Sequence, residues 1–315
     1  MPPTMRLLSA LLLCFSVSLA HAALPGAKRI LFLGDSITYS GIYIQIVEAA
    51  LIAQHPESSY EVIPIGLSSE TVSGLSEEGH AGGQFPRPDL NERLDRILAK
   101  VQPDLVLACY GMNDGIYHPL SPLRMKAYQD GIIKLRAKVV AIGAQIIHLT
   151  PPVFDPVPIQ DRLLPSGLET YPKPYSGYNE VLSAYAAWLL AQRQEGWQVL
   201  DVHGTMTTAL AEARKSDPMF TFARDGVHPN AAGHLVMARP ILAAWGIRIA
   251  ADGMPDHPKG QAIFGAIVQK QTLLRDAWLT ETGHKRPGVK AGLPLAEAQT
   301  KAAEFDATAR TLARH

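Results

Sequence analysis

A doubly wound α/β fold, built as a three-layer αβα sandwich on a parallel sheet, is the architecture this sequence predicts. Three observations carry it. Short runs at residues 29–33, 60–65, 104–109, 144–150 and 197–201 are near-continuously apolar rather than alternating, as strands covered on both faces require. Helical patterns at residues 42–54, 89–101, 122–142 and 178–195 separate them, and a last one follows at 230–245; strand-helix alternation of this kind builds a parallel sheet. Long connections at residues 66–88, 151–177 and 210–227 all follow strand carboxyl ends, where open α/β sheets hold their ligands.

Taken from the start, residues 1–22 read as a secretory signal, with Arg6 as the positive region, an apolar core from Leu7 and an Ala20-His21-Ala22 cleavage site. The apolar run is too short for a transmembrane helix. Cys14 follows Leu13 rather than a small residue, which argues against a lipid anchor. Export to the periplasm or the medium is therefore expected, with no integral membrane segment after cleavage near Ala22. Lys plus Arg and Asp plus Glu each number 29, so no global field draws nucleic acid or an anionic membrane. Past the signal only Cys109 remains. An internal disulfide is excluded, and this cysteine reads as a small core residue of a strand.

The first strand, Ile30-Leu31-Phe32-Leu33, ends in the turn Gly34-Asp35-Ser36. The helix behind that turn offers backbone N–H groups and a positive dipole end to a developing oxyanion. The connection at 66–88 holds five glycines, two prolines and the run Glu77-Glu78-Gly79-His80; that at 151–177 is proline-rich, and that at 210–227 is polar. Residues 27–248 form the expected main domain. Residues 249–315 form a helical hairpin extension, with helices at 261–279 and 295–312 around the loop Thr282-Gly283-His284-Lys285-Arg286-Pro287-Gly288. Packing on the main domain, a lid and an oligomer contact are all open roles for it.

Four motifs carry chemistry: Gly34-Asp35-Ser36, then Gly66 closing the second strand, then Gly111-Met112-Asn113-Asp114 after the third, then Asp225-Gly226-Val227-His228-Pro229-Asn230 before the last core helix. Ser36 needs a base, because a neutral hydroxyl is a poor nucleophile. His228 can accept its proton and return it to a leaving alcohol. Asp225, three residues earlier, can fix the imidazole tautomer. Pro229 is expected at the first helical position. Asp35 reads as a turn-shaping residue.

In this order and setting the four motifs resemble the SGNH hydrolases, also called the GDSL esterase/lipase family, over residues 29–245. The resemblance implies a five-stranded, parallel, flavodoxin-like sheet and a cofactor-free serine esterase. Its catalytic residues would be Ser36, Asp225 and His228. Its oxyanion hole would be the N–H groups of Ser36 and Gly66 and the amide of Asn113. Glycine suits a close approach to substrate, and a neutral amide donates without adding a competing base. His80, Tyr117, His118 and Asp155 are candidate substrate contacts. Arg275, His284 and Arg286 are candidates for an anionic group if the hairpin folds over the pocket.

Metal and nucleotide chemistry leave no trace in the sequence. There is no H-E-x-x-H run, no paired C-x-x-C, no Gly-Lys pair and no G-x-G-x-x-G. The G-x-S-x-G elbow is absent too, so the serine is presented differently. Export, neutral charge and an aromatic content of 7 % favour a short acyl group, acetyl first, on a carbohydrate. A lipid-directed or general carboxylesterase is the alternative. An O-acyltransferase and a non-catalytic glycan-binding module stand behind it, the last disfavoured because the four motifs are intact.

Overall fold

The computed structural model describes residues 26–315; the signal-like segment lies outside them. Five parallel strands run β1 (Arg29–Gly34), β2 (Glu61–Gly66), β3 (Leu105–Cys109), β4 (Gln145–Leu149) and β5 (Gln198–Leu200). They lie in the order β2-β1-β3-β4-β5, the flavodoxin-like winding expected, with β1 central enough to pair with both β2 and β3. Ile30, Leu31, Phe32 and Leu33 are fully buried. That is why the run does not alternate: helices cover both faces of the sheet. Pro64 is tolerated within β2 because this is an edge strand. Cys109 is buried and free, as expected of a core residue.

The helices are α1 (Ser36–Ser40), α2 (Ile42–Gln54), α3 (Leu94–Val101), α4 (Pro122–Ala141), α5 (Tyr178–Ala191), α6 (Val202–Ala213), α7 (Ala231–Ala244), α8 (Gly260–Thr282) and α9 (Leu295–Ala313). Two departures from expectation have physical causes. The helix expected over 89–101 is broken at Arg93, whose backbone leaves the helical region at φ −120°. Its guanidinium turns inward onto Glu70 at 2.6 and 2.8 Å, and Tyr110 Oη donates to the same carboxylate at 2.7 Å. Helix α6 occupies residues not expected to be helical, so the third long connection begins only after Ala213. Gly204 and three threonines depress its helix propensity. The missed signals were the Asp201 cap, which accepts from Gly204 N–H at 2.9 Å, and the buried stripe Val202, Met206, Leu210.

Helices α8 and α9 lie against the β2 side of the sheet. Gln271 Nε2 donates to the Val62 carbonyl at 3.1 Å, satisfying an edge-strand acceptor that would otherwise be open to another chain. A second small core joins Ala49 and Ile52 of α2 to Ile263 and Ile267 of α8 and Ala309 of α9. Lys270 is buried between Glu48 at 2.7 Å and Asp306 at 2.6 Å. Burial opposes its charge, but the two carboxylates outweigh that and raise its pKa. Lys270→Met is expected to lower the unfolding free energy by about 3–5 kcal/mol, because Glu48 would lose its cation. Urea unfolding reads this, with turnover per folded molecule retained. A loss of only about 1 kcal/mol, as for a surface pair, would refute the role.

Candidate active site

Ser36 opens α1 at the carboxyl end of β1. The turn is shaped by Asp35, whose Oδ1 caps the helix by accepting from Ile37 N–H at 2.9 Å. Burial drives the Asp35 pKa up to about 7 against the pull of that bond. Close packing sets the turn in place. A Cβ on Gly34 would lie 2.1 Å from Thr38 Oγ1, and one on Gly66 would lie 2.2 Å from the Tyr39 backbone nitrogen. The glycine at 66 is thus demanded by α1 crossing the end of β2, a packing reason that the sequence did not show.

Ser36 Oγ and His228 Nε2 lie 2.8 Å apart, and His228 Nδ1 lies 2.6 Å from Asp225 Oδ2. A carboxylate only accepts, so Nδ1 carries the proton and Nε2 presents its lone pair to the serine. The other Asp225 oxygen accepts from the N–H groups of Val227 at 3.0 Å and His228 at 2.8 Å. Burial would raise the Asp225 pKa, but these bonds outweigh it and hold the carboxyl below its usual range. The hydrogen bond to Asp225 in turn raises the His228 pKa above its ordinary value. Helix α7 starts one residue later than expected. Asn230 is its cap, accepting from Gly233 N–H at 3.0 Å, and Pro229 precedes that cap. Chemically this chain can take a proton from a hydroxyl and hold the resulting imidazolium.

Asn113 follows β3 and is nearly buried. Its Nδ2 donates to the Glu70 carbonyl at 3.1 Å, and its Oδ1 accepts from Arg87 Nη1 at 2.9 Å and Tyr117 Oη at 3.3 Å. The neighbouring Asp114 ties the 66–88 connection down, accepting from Val72 and Ser73 N–H at 2.8 Å each. Burial raises its pKa to about 6. Arg87 and Glu77 were missed as site residues. The only sequence signal was an arginine locked between Pro86 and Pro88.

The candidate substrate contacts divide. Tyr117 and His118 border an open cleft between residues 76–79 and 169–174. His80 does not: its ring is buried, Nδ1 bonds the Phe85 carbonyl at 2.9 Å, and it packs edge-on to Phe85. Asp155 is also buried, its carboxylate held by Arg214 at 2.8 Å to each oxygen and by Thr221 Oγ1 at 2.6 Å. Because Asp155 N–H donates to the Gly226 carbonyl at 2.8 Å, this residue anchors the loop carrying Asp225 and His228 rather than meeting a ligand. Arg275 is paired with Asp276 at 2.8 Å and stacked over Tyr39 of α1 at 4.3 Å. Arg286 lies over Phe85 at 5.4 Å, and His284 is half-buried in the same connection.

A model of the GDSL-like lipase/acylhydrolase family matches residues 32–236, a span that contains Ser36, Asn113, Asp225 and His228. The chain belongs to this family. It is a GDSL serine hydrolase acting on ester bonds. Among solved structures this GDSL esterase resembles BT4096, a gut microbial diltiazem-metabolizing enzyme, at 21 % identity and TM-score 0.52. That match covers 70 % of this chain but only 47 % of BT4096, so the chain spans about half the length of that protein. It also resembles a catalytic mutant of Axe2, an acetylxylan esterase from Geobacillus stearothermophilus, at 21 % identity and TM-score 0.51, covering 70 % of this chain and 95 % of the other. A tryptophan variant of Axe2 gives 22 %, 0.52, 71 % and 96 % in the same order. At such identities the likeness is one of fold. No curated protein matches significantly. Among the described residues no helix is long and apolar enough to cross a membrane.

Proposed function

We propose that this GDSL esterase is exported and removes short acyl groups, acetyl first, from a carbohydrate through an acyl-Ser36 intermediate. Ser36 Oγ attacks the ester carbonyl while His228 Nε2 takes its proton, with Asp225 holding the imidazolium. The N–H groups of Ser36 and Gly66 and the free Nδ2–H of Asn113 receive the oxyanion. Collapse of the tetrahedral intermediate expels the sugar oxygen, which regains the proton from His228. Water, activated by the same imidazole, then releases the acid.

The observation supporting a carbohydrate is the cleft bordered by Arg87 and Tyr117, the two side chains that bond Asn113 Oδ1. It has a volume of about 760 Å³ and is walled by Tyr117, Arg87, Glu77, Glu78, Tyr171 and Lys173. Carboxylates, cations and aromatic rings together suit the hydroxyls and apolar ring faces of a sugar, whereas a long acyl chain would favour an apolar trough. The signal-like residues 1–22 support export.

The test is acetate release from neutral acetylated oligosaccharides set against p-nitrophenyl esters of increasing chain length. The expected ranking places acetylated oligosaccharides above p-nitrophenyl acetate in kcat/KM, with activity falling as the acyl chain grows. Activity that rises with chain length, with oligosaccharides left untouched, would replace the carbohydrate reading with a lipid-directed one.

A further inference from the structure

We propose that Arg87, held by Glu77 and assisted by Tyr117, is a positioning residue that orients and polarises the Asn113 amide. The inference rests on the reading of Asn113 as an oxyanion donor and adds what makes it one. Guanidinium has no acceptor and a carbonyl no donor. The bond from Arg87 Nη1 therefore requires oxygen on that side of the amide. The Glu70 carbonyl requires nitrogen on the other. The amide orientation follows from its neighbours alone. One of the two Nδ2 protons is used on Glu70, and the second is left for a ligand.

Arg87 is built to hold this contact. Its Nε and Nη2 edge grips both Glu77 oxygens at 2.6 Å each, leaving Nη1 for Asn113. Its backbone is restricted by Pro86 and Pro88, and its own N–H donates to Ser76 Oγ at 2.9 Å. The guanidinium also lies over the Tyr117 ring at 5.2 Å. Tyr117, with Ile116, sits in the left-handed backbone region at φ +57° and +49°. Bulky residues occupy that region at a cost and mainly at functional sites. The conformation brings Tyr117 Oη to Asn113 Oδ1, with its ring stacked on Tyr178 at 4.8 Å. A cation on a buried amide oxygen draws electron density toward itself and strengthens the remaining N–H as a donor.

The experiment is a double-mutant cycle on p-nitrophenyl acetate, with kcat, KM and melting temperature measured for Arg87→Met, Asn113→Ala and the double variant. Asn113→Ala is expected to lower kcat about 100- to 1,000-fold. Arg87→Met is expected to lower it about 10- to 100-fold, within the worth of one charge-assisted bond, with KM and melting little changed. Because Arg87 acts through Asn113, the double variant should be no slower than Asn113→Ala alone. Arg87→Lys, keeping the charge without the two-edged grip, should recover part of the loss.

Losses that multiply in the double variant, or an Arg87→Met effect confined to KM, would overturn the proposal while leaving Asn113 its role. Wild-type kcat in Asn113→Ala would instead remove the oxyanion reading beneath it. Should Arg87→Met fail to fold, Tyr117→Phe runs the same cycle with its ring retained. An expected loss of about 2- to 10-fold should then vanish in the Asn113→Ala background, and its persistence there would overturn the proposal.

Discussion

Ser36→Ala is expected to lower kcat on short esters by about a million-fold, the loss seen when a triad nucleophile is removed. The protein should still fold. Among the described residues the Ser36 hydroxyl bonds only His228, whereas the turn is held by the Asp35 cap and by α1 packed against Gly34 and Gly66. Steady-state kinetics and a melting curve on the same preparation read both halves. Substantial residual turnover in a folded variant would mean that Ser36 is not the attacking group.

Asp225→Asn is expected to cost about 10⁴-fold in kcat, because an amide in place of the carboxylate admits the wrong imidazole tautomer. It should also move the pH profile. His228 must be neutral to act as a base, and Asp225 raises its pKa. In the wild type the acid limb of kcat/KM should therefore lie above the ordinary histidine value, with activity lost as pH falls through it. Removing the anion should shift that limb to lower pH. The stability linkage runs the other way: a raised histidine pKa contributes below the unfolded pKa and is lost as pH rises through the folded one. The pair is half-exposed, so that contribution is small. An acid limb unmoved by the substitution would separate Asp225 from the titrating base.

The strands and most helices were legible because burial on both faces of a sheet forces continuous apolar runs, and helix α2 falls on the residues its pattern predicts. The acid-base loop was legible for a local reason. Asp225 and His228 stand three residues apart, so their bond needs only a short turn. Helix α6 was hidden because its threonines and Gly204 oppose helix formation in isolation, and burial of Val202, Met206 and Leu210 overrides them. Asp155 and His80 misled because a polar residue in a loop looks the same in sequence whether it faces a ligand or an internal partner.

By itself the sequence determined the alternation of strands and helices, the serine and asparagine at strand ends and the aspartate and histidine of one loop, since periodicity and short-range spacing are local properties. Tertiary structure alone decided which groups meet across long separations. It placed His228 against Ser36 and α8 against the open side of β2. It also joined Glu77 and Arg87 of one loop to Asn113 of another. Such contacts depend on how whole layers pack, and no window of neighbouring residues contains that information.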